Sequence, residues 1–204
     1  MQKQVLVIKL GTAVITDADG IISRPVIKKV AGEISALSKR YNVVLVSSGA
    51  VGSGKAFIRN YKGTLTERKA AAAIGNPILI NLYQKYFSGF DIPVAQALCE
   101  RHHFSNRVQF LQLKNTFEAF WQNGIIPIVN ENDLVSNVEL KFSDNDELAT
   151  LIAVGTSRDS EELRQSELME VMRTIRARNP FRAVDDPVAW QRAIREDVAL
   201  PPRE

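Results

Sequence analysis

The chain of 204 residues has a single cysteine, Cys99, and only two histidines, His102 and His103. One cysteine cannot close a disulfide within the chain, which excludes a disulfide-stapled scaffold. His102-His103, with Cys99 three residues before, lacks the ligand spacing of a zinc or iron site, so no metal site is expected. Long apolar runs are missing too. None approaches the roughly 20 residues that span a bilayer, and no membrane partner is expected. The opening Met1-Gln-Lys3 runs directly into a strand pattern rather than a signal peptide, which makes a reducing, cytoplasmic setting the expectation.

Charge of one sign is also scarce. The formal net charge is +3: residues 1–155 hold 17 basic and 13 acidic side chains, and the remainder 9 and 10. Neither part has the dense basic field of a nucleic-acid binder. Lysine disappears late in the chain. Residues 1–155 carry 11 Lys and 6 Arg, whereas residues 156–204 carry 9 Arg and no Lys. Such a shift marks a boundary between segments under different constraint.

What is present is enough apolar material, 45% of residues, for a sizeable core. Val5 to Ile8 and Val43 to Val46 read as buried strands, with a helix between them that opens near Pro25. Thr66 to Phe87 reads as a helix that Gly75-Asn76-Pro77 should bend or interrupt. Ile92 to Leu98 and Ile125 to Val129 read as further strands, with a helix from Arg107 to Gln122 between them. Leu134 to Phe142 suits a small hairpin or arm, and Asp146 to Val154 starts another helix. Strands alternating with helices predict an α/β fold with a mainly parallel sheet covered on both faces. In such sheets ligands bind beyond the carboxyl ends of the strands, where Lys9, the Ser48 to Gly54 loop and Asp133 all fall. The tail from Glu161 onward has helical composition and four prolines, Pro180, Pro187, Pro201 and Pro202, but no β-branched run.

Several constellations could carry chemistry. Gly49-Ala-Val-Gly-Ser-Gly54-Lys55 fits the spacing of a phosphate loop, although Ala56 stands where a magnesium-holding hydroxyl belongs. Both a phosphate-loop NTPase and a purely structural glycine turn stay open on this motif. Lys9 ends an apolar strand just before Gly11, which suits an ammonium aimed at a phosphoryl group as well as one reaching solvent. Asn130-Glu-Asn-Asp133 and Ser143-Asp-Asn-Asp146 are each turn-like. Together they offer donors and acceptors for a zwitterionic ligand.

Five segments stand in a shared order across residues 1–155: Val-Ile-Lys9-Leu-Gly11-Thr12, Val-Ser-Ser48-Gly49-Ala50-Val, Ala-Ala-Ile-Gly75-Asn-Pro, Ile-Val-Asn130-Glu-Asn132-Asp133 and Ser-Asp144-Asn145-Asp146-Glu-Leu. With these motifs the sequence resembles the amino-acid kinase family, and within it the branch that phosphorylates glutamate. The resemblance implies a three-layer αβα sandwich and ATP- and magnesium-dependent phosphorylation of the γ-carboxylate of L-glutamate, for proline synthesis. A carboxylate is already nucleophilic, so such a catalyst aligns it with the γ-phosphoryl group and neutralises developing charge. By the family pattern Lys9 stabilises the transferring phosphoryl, assisted by amides at Gly11, Gly49 and Ala50. Ser48, Asp133 and Asn145 match glutamate-binding positions, with Asp133 favouring the substrate ammonium.

The departures also count. The family's Thr-Asp turn, its Gly-Thr-Gly-Gly segment and its second lysine, which hold ATP, have no counterpart in residues 156–204. Residues 186–204 weakly resemble antitoxin tails that wrap a protein partner. The expectations are therefore a glutamate-binding portion at 1–155 and a mostly helical tail of other origin at 156–204. The chain is expected to self-associate as a homo-oligomer. Besides the kinase reading stand a non-catalytic glutamate-binding module, an antitoxin-like partner-binding protein and a phosphate-loop NTPase.

Overall fold

The computed structural model describes residues 3–17, 20–134 and 145–156. Among the described residues four strands form one sheet: β1 (Gln4–Leu10), β2 (Tyr41–Ser47), β3 (Val94–Cys99) and β4 (Ile126–Glu131). Their order is β1-β2-β4-β3, and every pairing is parallel. A parallel sheet needs crossover helices. Here the connections carry α1 (Thr12–Ile15), α2 (Arg24–Ser38), α3 (Ala50–Gly54), α4 (Leu65–Phe87), α5 (Arg101–Ser105) and α6 (Arg107–Gln122), and α7 (Asn145–Thr156) lies beyond β4. The α/β reading thus holds, with each expected strand displaced by no more than a few residues.

Strand alternation sorts the core into two faces. Val43 and Leu45 of β2 and Ile126 and Ile128 of β4 join Ile27, Ala31 and Ile34 of α2 and Leu79, Tyr83 and Phe87 of α4 in one buried cluster. Val44, Val46 and Val129, on the opposite face, are fully buried as well. That side receives α7, which packs on β1, β2 and β4, and α6, which packs on β4. β4 pairs with β2 only from Leu45 onward, which leaves the Val43 carbonyl without a strand partner on that side. Trp121 of α6 fills the gap by donating its indole N–H to it at 3.0 Å.

The helix over residues 65–87 runs through Pro77 without the interruption that was one of the two expected outcomes there, a bend or an interruption. Its start is fixed by a capping box: Glu67 N–H donates to Thr64 Oγ1, while the Glu67 carboxylate accepts from the Thr64 N–H at 2.9 Å. Its middle is held from outside. A Cβ on Gly75 would come within 1.7 Å of the Ala50 carbonyl oxygen, and one on Gly54 within 1.9 Å of the Ala71 carbonyl oxygen, so α3 and α4 touch backbone to backbone. This tertiary contact overrides the hydrogen bond that Pro77 cannot donate.

The expected hairpin or arm falls mostly within residues 135–144, and the helical tail with its proposed partner falls within 157–204; both lie outside the described residues.

Candidate active site

The sheet register brings three strand ends to one level. Leu10 pairs with Ser47, Val46 with Val129, and Leu98 with Asn130. Lys9 to Gly11, Ser47 to Gly49 and Asn130 to Asp133 therefore line the carboxyl edge of the sheet, where open α/β sheets place their ligands. The Ser48 N–H, donating to the Leu10 carbonyl at 2.9 Å, stitches the first two of these segments together.

Above this edge sits the first turn of α7, in which three consecutive residues reach three different elements. Asn145 Nδ2 donates to Ser48 Oγ at 2.8 Å and to Asn130 Oδ1 at 3.3 Å. Asp146 Oδ1 lies 2.8 Å from Lys9 Nζ. Glu147 forms a buried ion pair with Arg101 of α5, with Arg101 Nη2 donating to Oε2 at 2.6 Å. Two acids in a first turn also suit the positive end of the helix dipole.

Lys9 is only partly covered, with 32% of its side chain exposed, and its ammonium lies over Gly11, where a Cβ would stand 3.4 Å from Nζ. Larger side chains at residue 11 would push the ammonium aside. Gly49 turns the chain out of β2 with φ of 105°, a conformation L side chains rarely adopt, and a Cβ there would meet Ile15 and Ile22 within 3 Å. Ala50 follows, buried, as the first residue of α3. Asp133 is half-buried, two residues beyond the end of β4.

Of the sequence-predicted residues, the structure brings Lys9, Gly11, Ser48, Gly49, Ala50 and Asn145 to one strand edge and sets Asp133 in the turn that leaves it. The phosphate-loop alternative is corrected. Residues 50–54 are coiled into α3 and Lys55–Phe57 into a 3-10 turn, so no open loop spans Gly49 to Lys55. Gly54 is a glycine because Ala71 and Gly75 press against it.

Four participants were not singled out by sequence reasoning. Asp146 and Asn130 lay within quoted motifs but read as turn residues. Asn76, also within a motif, accepts from Asn130 Nδ2 at 3.0 Å. Arg101 had no sequence signal, since one arginine after a strand looks like any other.

Next to the site, Glu100, just after β3, accepts from Nδ2 of Asn132, just after β4, at 3.0 Å. His103 Nδ1 accepts the Glu100 backbone N–H at 2.9 Å, and the imidazoles of His102 and His103 lie with ring centres 4.2 Å apart, tilted by 58°. Burial, then the neighbouring His102, holds the His103 pKa below its usual value against the opposing pull of Glu100. Cys99 is buried and free, and burial pushes its thiol up to about 12. Among the described residues no group of three His, Cys, Asp or Glu side chains could hold a metal ion, and no helix is long and apolar enough to cross a membrane.

The chain is 38% identical over 151 residues to a glutamate 5-kinase of Caldanaerobacter subterraneus subsp. tengcongensis, covering 72% of this chain and 41% of that protein. It is 38% identical over 151 residues to the glutamate 5-kinase of Clostridium acetobutylicum, covering 72% and 57%. To that of Synechococcus sp. strain JA-3-3Ab it is 42% identical over 152 residues, covering 72% and 41%. The chain thus spans 41% to 57% of the length of these relatives. Among solved structures, UMP kinase from Ureaplasma parvum shares the fold at a TM-score of 0.50 with 17% identity, over 76% of this chain and 66% of that one. With the Amino acid kinase family model matching residues 4–160, the chain belongs to the amino acid kinase family.

Proposed function

We propose that residues 1–155 are the glutamate-binding and phosphoryl-facing portion of a glutamate 5-kinase, which transfers the γ-phosphoryl group of ATP to the γ-carboxylate of L-glutamate as a step toward proline. The observation that carries this reading is the convergence of Lys9, Ser48 and Asn145 on one strand edge under the first turn of α7. It is joined by 38% to 42% identity to glutamate 5-kinases over 72% of the chain.

The roles follow from the chemistry of each group. Ser48 and Asn145 offer a hydroxyl and an amide to the amino-acid substrate, and Asp133 offers a carboxylate to its ammonium. Lys9 neutralises charge that builds on the transferring phosphoryl, with the amides of Gly11, Gly49 and Ala50 as further donors. Asp146 keeps the Lys9 ammonium over Gly11 until phosphate oxygens replace it. Magnesium would arrive on the nucleotide phosphates and offset their charge there. In this reading residues 1–155 supply the glutamate and phosphoryl side of the reaction, and the groups that hold the nucleotide lie outside them. The boundary near residue 156, self-association, the cytoplasmic setting and a protein partner for the tail belong to the same proposal.

Calorimetric titration of the full chain tests it. L-glutamate should bind weakly, and Asp133→Ala should abolish the heat while the protein stays folded. Equal binding by folded Asp133→Ala would remove Asp133 from the site. Robust glutamate-dependent ADP release by these 204 residues alone, abolished by Lys9→Ala, would show that residues 156–204 supply the nucleotide side.

A further inference from the structure

The Gly75-Asn76-Pro77 segment lies inside α4, a helix that contributes no group to the ligand reading given above. We infer that Asn76 is a positioning residue: acting through Asn130, it decides which atom of Asn145 is turned toward the ligand. The inference rests on the glutamate reading of the site.

The polarity of the amide chain is set by a group that cannot change its role. The backbone N–H of Glu131 donates to Asn130 Oδ1 at 2.9 Å, which makes that oxygen an acceptor. Asn130 Nδ2 must then find an acceptor of its own, and Asn76 Oδ1 supplies it at 3.0 Å. Asn145 faces the same Asn130 oxygen and so presents Nδ2 to it, at 3.3 Å, with Ser48 Oγ as the second acceptor at 2.8 Å. Both N–H bonds of Asn145 are consumed inside the protein. Its Oδ1 is left as an acceptor, and the Ser48 hydroxyl, already accepting, is left to donate. An acceptor beside a donor is the complement of an α-amino acid, whose ammonium donates and whose carboxylate accepts.

Without Asn76 this pattern loses its anchor. Asn130 Nδ2 would have no acceptor, and rotating the Asn130 amide to find one would set N–H against the Glu131 N–H. Asn145 would follow. Asn76 can hold this register because its own backbone is immobilised on either side. Gly75 is pressed against the Ala50 carbonyl of α3, and Pro77 fixes φ immediately after. Adjacent residues of α4 thus brace both walls of the site: Gly75 the Ser48 to Ala50 side, Asn76 the Asn130 and Asn145 side.

The test is nuclear magnetic resonance of the full chain labelled with 15N-asparagine, with Asn76→Ala and Asn76→Asp compared, alongside L-glutamate titration. Alanine is a good helix former, so the first variant keeps α4, while aspartate keeps an oxygen acceptor at the same place. Asn76→Ala should displace the side-chain NH2 signals of both Asn130 and Asn145 and weaken glutamate binding roughly tenfold, the loss expected for one misplaced hydrogen bond. Asn76→Asp should restore both NH2 signals. Unmoved Asn145 signals in Asn76→Ala, or equal displacement in both variants, would overturn the positioning role. If the unmutated chain binds no glutamate, the glutamate reading fails, while the NH2 signals still decide the role of Asn76.

Discussion

The guanidinium of Arg101 grips the carboxylate of Glu147 across 46 residues of sequence, with 8% and 2% of their side chains exposed. The pair ties the short helix after β3 to the same turn of α7 that delivers Asn145 to Ser48 and Asp146 to Lys9. A buried ion pair contributes little net stability, yet losing one partner strands the other charge in a low-dielectric site. Glu147→Gln or Arg101→Ala should therefore cost about 3–5 kcal/mol in urea unfolding, whereas replacing both together with apolar residues, Arg101→Met with Glu147→Leu, should recover most of that loss. A double variant as unstable as the singles would show that the charges themselves are required.

The backbone contact of α3 with α4 predicts a second contrast. At Gly54 and Gly75 a methyl group would overlap carbonyl oxygens that belong to helix backbone and cannot rotate away. Gly54→Ala and Gly75→Ala should each cost roughly 3 kcal/mol or more, measured as the shift of the urea midpoint at constant m-value. Gly89→Ala is the control, because nothing lies within 4 Å of a Cβ there. It should change stability by no more than about 0.5 kcal/mol.

How much of this was legible beforehand depended on range. The four strands were readable because buried parallel strands are runs of β-branched residues, as in Val43 to Val46. The helix of residues 107–122 was readable from its own period. Continuity of the helix at Pro77 was not, since the contact that holds this stretch comes from Ala50, 27 positions upstream. The short helices of residues 12–15 and 101–105 are too brief to show a period. Asn130, Asn76 and Asp146 looked like turn formers, and only the fold shows that their side chains bond across elements rather than to nearby backbone. Arg101 and Glu147 show a general limit: composition says a charge exists, and burial alone says it matters.

Two buried acids predict the alkaline limb of stability. Burial raises the Cys99 thiol from 9.0 to about 12 and the Tyr83 phenol from 10.0 to about 12, the latter against the hydrogen bond it shares with Ser47 at 2.8 Å. Above its ordinary pKa each group ionises in the unfolded chain but not in the folded one, so rising pH favours unfolding. Their contribution should be complete below about pH 9 and be lost progressively toward pH 12. Cys99→Ala should flatten the lower part of that decline in urea midpoints measured from pH 8 to 11. In line with the same burial, a thiol reagent at pH 8 should label Cys99 only after denaturant is added, and prompt labelling of native protein would refute its placement.

His103 predicts the acid limb. Its Nδ1 accepts the backbone N–H of Glu100, a role only the neutral ring can fill, and burial with His102 beside it holds its pKa below 6.5. Glu100, hydrogen-bonded to Asn132 and facing His102 at 3.4 Å, opposes that shift without cancelling it. In the unfolded chain the imidazole takes up a proton near pH 6.5, while the folded chain resists until the pH is lower. Protons therefore favour unfolding, and the stabilisation is full above about pH 6.5 and lost as pH falls through the depressed value. Protonation also breaks the cap on the segment that carries Arg101, so the site should loosen over the same range. His103→Asn retains an acceptor for the Glu100 N–H but does not titrate. Urea midpoints from pH 4.5 to 7.5 should fall less steeply for this variant than for the unmodified chain, and a parallel fall in the two would refute His103 as the titrating group.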